Sequence, residues 1–214
     1  MKPLFAIALC LGLTAFNAGA DEDSAMTTSA DGSHYSNARF GLSVTKPEGW
    51  YAMDIKESLA QMQQGSTKVA GSDQNIQAMF DAALQGTLPL FDFFQVPPGE
   101  AVRTNASISA SAESVEAFPG IKTGCDYLSQ MQKTMSRLQQ KIDFPEGCRN
   151  AHLNGNPFGV MSTTMKVGIA SVDLQYFACL KGRHALVFLT SYVDEKGAQS
   201  LAGVMRTMKL HCDA

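Results

Sequence analysis

The fold is decided by residues 154–193, NGNPFGVMSTTMKVGIASVDLQYFACLKGRHALVFLTSYV. Asn154-Gly155 suits a two-residue hairpin turn, because both residue types tolerate the positive φ angles that this turn requires. Two further glycine-containing turns follow, at 168–170 and 181–183. Together with the residues just before them, these turns predict antiparallel strands at 149–153, 158–167, 172–180 and 185–193.

The last of these strands is apolar on both faces. Leu186, Phe188 and Tyr192 alternate along it with Ala185, Val187 and Leu189. A strand of this kind needs cover on both sides. A C-terminal helix that begins at the capping residue Asp194 supplies one cover, through the apolar residues Ala198, Leu201, Met205 and Met208.

The sequence before this meander predicts both helices and strands. Apolar residues at helical spacing favour helices at 55–64 and 73–85, followed by a third helix. Thr123, with Asp126 three residues later, caps that third helix, whose apolar stripe comprises Leu128, Met131, Met135, Leu138 and Ile142. Two strands are predicted at 90–96 and 105–112, and a hairpin with a Pro-Gly loop is predicted from 40–44 and 50–53. This order of elements predicts an α+β sandwich, with one domain at 35–214 and no internal repeat.

The N-terminal residues predict export. Lys2 precedes an apolar run of thirteen residues, and Ala18-Gly19-Ala20 fits a signal-peptidase site, so residues 1–20 are interpreted as a cleavable signal peptide. Lipidation at Cys10 is the weaker alternative, because bulky Leu9 precedes it. Residues 21–34 are polar and lack periodicity, which predicts a disordered lead-in. No later segment is long and apolar enough to span a membrane, so the mature chain is expected to be periplasmic or secreted.

Charge and cysteine content limit the partners further. The formal net charge of −3 becomes −4 once Lys2 is removed with the signal, which argues against nucleic acid and anionic lipid as main partners. Four cysteines remain in the mature chain without a C-x-x-C pair, which in an exported protein predicts two disulfides. The strand and helix directions predict the pair Cys179–Cys212. The pair Cys125–Cys148 follows by elimination, provided that the chain after the third helix doubles back.

Motifs of catalysis or cofactor binding are missing from the sequence. It contains no G-x-S-x-G, S-x-x-K, phosphate loop or dinucleotide fingerprint, and its histidines, His34, His152, His184 and His211, lack metal-ligand spacing. A metal site at His211-Cys212-Asp213 and a copper role for the methionines are weaker than a solvated tail and core packing. Asp92 is expected to face solvent and Trp50 to anchor the core. We therefore predict no catalytic, cofactor-binding or metal-binding residues.

The segment YSNARFGLSVTKPEGW, residues 35–50, resembles the opening signature of the PsbP-like superfamily, which includes bacterial DcrB-like envelope proteins. Residues 153–159, LNGNPFG, and the terminal helix are similar to its second half. The resemblance implies a three-layer α/β/α sandwich around a mainly antiparallel sheet. It implies little about activity, since most members of the superfamily have no enzymatic role, and it supplies no active site to carry over. The four cysteines and the two consecutive helices at 55–85 depart from the family pattern.

The sequence is compatible with three functions. The leading hypothesis is an exported, non-catalytic protein that binds another envelope protein or assists envelope assembly. The alternative is a periplasmic carrier of a small apolar molecule or lipid, with the helices at 55–85 as its lid. A hydrolase or metal enzyme with an unrecognised site is the third. A closed cavity of several hundred Å³ would favour the carrier.

Overall fold

The computed structural model of the chain describes residues 26–28, 32–100, 105–135, 142, 144–167 and 170–213. Within these residues the chain forms two antiparallel sheets and four helices. The strands are β1 (Met26–Thr28), β2 (His34–Asn37), β3 (Leu42–Thr45), β4 (Tyr51–Met53), β5 (Thr87–Phe94), β6 (Ser107–Ser114), β7 (Cys148–Leu153), β8 (Asn156–Val167), β9 (Ala170–Lys181) and β10 (His184–Tyr192). The helices are α1 (Ile55–Ala70), α2 (Gln74–Gln85), α3 (Gly124–Met135) and α4 (Glu195–Thr207).

The large sheet has seven strands in the order β4-β5-β6-β10-β9-β8-β7, and every neighbouring pair is antiparallel. The predicted meander of four strands is confirmed as β7 to β10. The doubly apolar strand β10 lies at the centre, where both of its faces are buried. The chain is therefore an α+β protein, as predicted.

Each face of the large sheet has its own core and its own cover. On one face, which we call the α4 face, Leu186 and Phe188 of β10 join a core that includes Leu201 of α4 and residues of the small sheet β1-β2-β3. On the other, the α3 face, Val187 and Leu189 join a core that includes residues of α2 and α3. The central sheet thus separates two layers that contain helices.

The predicted hairpin of residues 40–44 and 50–53 is wrong. β3 pairs with β2 in the small sheet, whereas β4 pairs with β5 in the large sheet. Ser43 also bridges to Lys209, so the second edge of β3 is engaged by the C-terminal segment and is not free for β4. The Pro-Gly turn is present, with Trp50 N–H donating to Pro47 O at 3.2 Å, but it carries the chain from one sheet to the other.

Element boundaries differ from the predictions near the N-terminus and in two of the helices. β1 lies inside the segment 21–34, which is predicted to be disordered, and its three residues pair with β2. Residues 1–20, the predicted signal peptide, lie outside the described residues. α1 extends to Ala70, beyond the predicted end at 64, and α3 ends at Met135 in the described part of the chain. None of the described helices is long and apolar enough to cross a membrane.

α3 begins where the sequence indicates and lies unusually close to the sheet. Asp126 N–H donates to Thr123 Oγ1 at 3.1 Å and Thr123 N–H donates to Asp126 Oδ2 at 2.8 Å, which is the reciprocal capping box that was predicted. A Cβ added at Gly124 would lie 1.9 Å from Ala178 O, and one added at Gly159 would lie 2.5 Å from Cys125 N. Glycine at both positions therefore lets the first turn of α3 contact the strands directly.

Two disulfides join the predicted pairs. Cys179 of β9 bonds to Cys212, with Cα atoms 6.0 Å apart, because α4 returns the chain to the end of the sheet where β9 finishes. Cys125 of α3 bonds to Cys148 of β7, with Cα atoms 5.5 Å apart. The described part of α3 has 12 residues, about 18 Å at 1.5 Å per residue, and this bond holds its first turn beside the start of β7.

Candidate functional site

A small cavity lies between α1 and the α3 face of the sheet. Its volume is about 70 Å³. The lining residues are Met53, Ser58, Gln61, Met62, Pro89, Asp92, Phe94, Ser107, Ser109, Ala110, Ser111, Val187, Leu189 and Ser191. The serines of β6 thus line a small cavity that lies beneath α1.

Asp92 is buried in this cavity, so the prediction that it faces solvent is wrong. Its side chain accepts a hydrogen bond from Ser58 Oγ of α1, and its residue is only 8% exposed. Strand alternation does place it opposite Phe91 and Phe93, but α1 covers that face as well. Burial raises the pKa of the Asp92 carboxyl, and hydrogen bonds from Ser109 and Ser58 oppose the rise.

The chemistry available in this cavity is limited by its size and its wall. A volume of about 70 Å³ holds a few water molecules, far below the several hundred Å³ of a typical small-molecule site. Among the described residues that line it, Asp92 is the one titratable side chain, and its partners are hydroxyl groups. A general acid or base must lie within hydrogen-bond reach of the substrate proton, and a space of this size holds no ordinary small-molecule substrate beside Asp92. The Asp92–Ser58 contact therefore fastens α1 to the sheet.

A second buried acid holds α3 in the same way. Glu113 of β6 is 2% exposed and accepts hydrogen bonds from Tyr127 Oη of α3 and from Ser111 Oγ, the latter at 3.2 Å. Asp92 and Glu113 thus each receive a hydroxyl from a covering helix. Sequence reasoning missed Glu113, and its position on the serine face of β6 is the signal that could have revealed it.

The larger concave feature is an open groove beside α4. Its volume is about 390 Å³. The lining residues are Arg149, Leu153, Asn154, Gln175, Phe177, Thr190, Tyr192, Ala198, Leu201, Ala202, Met205 and Arg206. One wall is a face of α4, and the floor is formed by β9 and β10. The groove lies on the side of α4 that faces β7, where Arg149, Leu153 and Asn154 form its other margin.

The charges around the groove are unevenly distributed. Arg149 of β7 and Arg206 of α4 are exposed, and within the described residues neither forms an ion pair or a side-chain hydrogen bond. At the other end, burial raises the pKa of Tyr192, and the nearby carboxylates of Asp173 and Glu195 raise it further. The groove is therefore acidic near Tyr192 and basic beside Arg149, along β7, and beside Arg206, towards the end of α4.

The groove continues into an edge of the sheet. β7 is the terminal strand of the large sheet, and two of its residues, Arg149 and Leu153, also line the groove. Arg149, Asn150 and His152 are exposed. Asn154, in the turn that ends β7, donates from Nδ2 to Met205 O and Met208 O, each at 2.8 Å, which fixes the end of α4 against this edge.

The remaining sequence candidates have structural positions. His184 lies against Phe40 and within 3.3 Å of the Arg39 guanidinium, and in the described part of the chain no three His, Cys, Asp or Glu side chains gather as a metal site. Cys212 is disulfide-bonded, and Asp213 accepts from Gly182 N–H at 2.6 Å, which leaves the 211–213 motif in a structural role. Trp50 packs against the α4-face core as predicted. The methionines of α3 and α4 named above are buried in the cores.

No protein-family model matches the sequence, and no curated protein matches it. The chain is similar to the solution structure of cyanobacterial PsbP (CyanoP) from Synechocystis sp. PCC 6803, with 13% identity and a TM-score of 0.44 over 92% of this chain and 97% of that chain. It is also similar to the crystal structure of LpqN, involved in cell envelope biogenesis of Mycobacterium tuberculosis, with 10% identity and a TM-score of 0.43 over 86% of this chain and 88% of that chain.

A third similar structure is a crystal structure from Bacteroides thetaiotaomicron VPI-5482, with 12% identity and a TM-score of 0.39. The match covers 79% of this chain but 44% of that one, so the chain spans less than half the length of this neighbour. At these identities the likeness concerns the fold alone. The PsbP neighbour carries the name of the superfamily that residues 35–50 resemble.

Proposed function

We propose that this chain is an exported, non-catalytic protein of the cell envelope that binds another protein through the groove beside α4. The observation that carries the proposal is the groove itself, where a floor of mixed polar and aromatic residues, two arginines without partners in the described chain and the edge strand β7 are continuous. A surface that combines apolar area with unpaired polar groups is typical of protein recognition sites.

Two further observations support export and a role without catalysis. The chain has two disulfides, and disulfides form and persist in oxidising compartments outside the cytoplasm. The buried acids Asp92 and Glu113 are engaged by hydroxyls of α1 and α3, which gives each of them a structural task. The signal-peptide pattern at 1–20 points to the same compartment.

Site-specific photocrosslinking in living cells tests this proposal. A benzophenone amino acid at Ala202, an exposed position in the groove wall, should give an adduct with a second protein after irradiation. The same amino acid at Ala60, an exposed alanine on α1 outside the groove, provides the matched control. The proposal is wrong if position 202 gives no protein adduct, or gives the same adducts as position 60.

A carrier function is the second candidate, and the groove rather than the helices at 55–85 favours it. The cavity beneath α1 is about 70 Å³, whereas the groove, at about 390 Å³, lies in the range of small-molecule sites. Phe80 of α2 is 1% exposed, so it belongs to the core and not to an exposed apolar patch on these helices. Native mass spectrometry of the gently purified protein distinguishes the two functions, since a carrier retains a reproducible extra mass.

A further inference from the structure

We infer that the groove and the outer edge of β7, which is the terminal strand among the described residues, bind an extended acidic segment of the partner, which adds to the sheet as a further strand. This inference rests on the proposed function and names the chemistry that the site recognises. In strand addition, backbone hydrogen bonds supply affinity and pockets for alternate side chains supply specificity. The chain offers both parts side by side, because Arg149 and Leu153 belong to the edge strand and to the groove wall.

The backbone of β7 is arranged to accept such a strand. Leu153 and Asn156 close the two-residue hairpin and so form a bonded pair with both backbone hydrogen bonds. Bonded and non-bonded pairs alternate, which directs the N–H and C=O groups of Asn150 and His152 away from β8. Pro157, which lacks an N–H, lies opposite His152, where no donor is needed. An added strand would therefore meet two residues with outward-facing donors and acceptors.

The side chains on the groove side of β7 define the sequence of the segment. Arg149, Ala151 and Leu153 alternate along this side, and Arg206 lies beyond Leu153 at the end of α4. A strand in register would place an acidic residue beside Arg149, apolar residues beside Ala151 and Leu153, and a second acidic residue towards Arg206. Arginine pairs with carboxylates through two parallel hydrogen bonds, which makes this charge pattern specific.

The surrounding charges fix where the acidic residues belong. Asp173 and Glu195 lie near Tyr192, at the end of the groove away from Asn154, and would repel them there. A small amphipathic anion would meet the same arginines, but it would leave the outward N–H and C=O groups of Asn150 and His152 unused. The continuity of edge and groove therefore favours a peptide segment over a lipid.

A synthetic peptide tests the inference on the full mature, oxidised protein. The sequence Glu-Thr-Val-Thr-Val-Thr-Glu places two acids and two valines on one face, is about as long as β7, and reads the same in both directions. With a fluorescent dye attached, its anisotropy should rise saturably as protein is added. A peptide with lysine in place of both glutamates should bind at least about tenfold more weakly, and N-methylation of alternate backbone amides should weaken binding to a similar extent.

Variants of the protein locate the binding. Arg149→Glu and Arg206→Glu should each weaken the acidic peptide by roughly tenfold and strengthen the lysine peptide. Arg183→Glu is the matched control, because Arg183 is an exposed arginine in the β9–β10 turn outside the groove, paired with Glu116, and its reversal should leave binding within about twofold.

Several results would overturn the inference. Equal affinity for the acidic and lysine peptides, no binding of either, or equal effects of the three arginine reversals would each reject an acidic strand at β7. Displacement of the peptide by dodecanoate with higher affinity than the peptide itself would assign the groove to a small amphiphile instead. Crosslinking at position 202 does not depend on the partner's charge or conformation. A negative peptide result would therefore reject the acidic strand without rejecting the protein-binding proposal.

Discussion

Gly159→Ala changes one hydrogen to a methyl group at the closest approach of α3 to the sheet. The added Cβ would lie 2.5 Å from Gly124 C, 2.5 Å from Cys125 N and 2.9 Å from Cys125 Cα. All three atoms are backbone, so no side chain can rotate away, and the disulfide of Cys125 resists a shift of the helix start. Overpacking of a core usually costs about 1–3 kcal/mol, and obstruction by backbone places this change at the upper end, about 3 kcal/mol.

That cost corresponds to a fall in Tm of roughly 6–12 °C for a domain of this length, measured by circular dichroism on the oxidised protein. Gly203→Ala is the matched control, since Gly203 lies within α4 and its added Cβ would come no closer than 3.8 Å, to Arg206 Nη2. Alanine in a helix is more stable than glycine by about 0.5–1 kcal/mol, so this variant should melt higher. Neither glycine has a positive φ. A Gly159→Ala protein that melts within about 2 °C of the parent would refute the close approach.

Three further outcomes are expected. Asp92→Asn should gain stability relative to the parent as the pH rises from about 3.5 to about 7.5. Burial raises the pKa of the Asp92 carboxyl, so the neutral carboxyl stabilises the fold below its unfolded pKa, and this contribution is lost as the pH rises through its folded pKa. A difference in Tm between the two proteins that does not vary with pH would contradict this. Replacing Cys179 and Cys212 together with alanine should lower the free energy of unfolding, measured by urea titration, by about 4 kcal/mol. The loss comes from the loop entropy of the unfolded chain, since the two cysteines are 33 residues apart. A loss below about 1 kcal/mol would contradict this estimate of the loop entropy. Asn156→Ala should lower the free energy of unfolding by roughly 3 kcal/mol in the same titration. This buried side-chain amide accepts from the backbone N–H of Cys212 at 2.8 Å and donates to two backbone carbonyls. A loss of less than about 0.5 kcal/mol would show those bonds to be dispensable.

The meander and its covering helix could be predicted because their signals are local. Asn154-Gly155 has positive φ angles of 51° and 80°, the turn that its composition indicates. β10 alternates apolar side chains on both faces, and α4 begins at the Asp194 cap, whose Oδ1 accepts from Gly197 N–H at 2.8 Å. Each of these features depends on residues within one or two turns of chain. The pair Cys179–Cys212 then follows from strand direction, which the hairpins fix, and the pair Cys125–Cys148 follows by elimination.

The small sheet and the burial of Asp92 could not be predicted, because both depend on contacts between distant parts of the chain. β3 turns away from β4 since its edge meets Lys209, which is far along the sequence. Asp92 is buried because α1 covers the serine face of β6, and alternation along β5 reveals only that it points away from Phe91. The groove was missed for the same reason, as its residues come from three strands and a helix.

The half of the sheet that ends at β7 is also the half that the disulfides hold. Cys148 begins β7, the edge strand, and Cys179 lies in β9, which forms part of the groove floor. A strand edge without a covering layer would otherwise fluctuate, and an ordered partner segment would have to restrain it at a cost in conformational entropy. Covalent links to α3 and to the C-terminal segment reduce that cost before binding occurs. If β7 binds the acidic strand as proposed, the disulfides contribute to that binding as well as to stability. Replacing Cys125 and Cys148 together with alanine should then weaken binding of the acidic peptide even at temperatures where the chain remains folded.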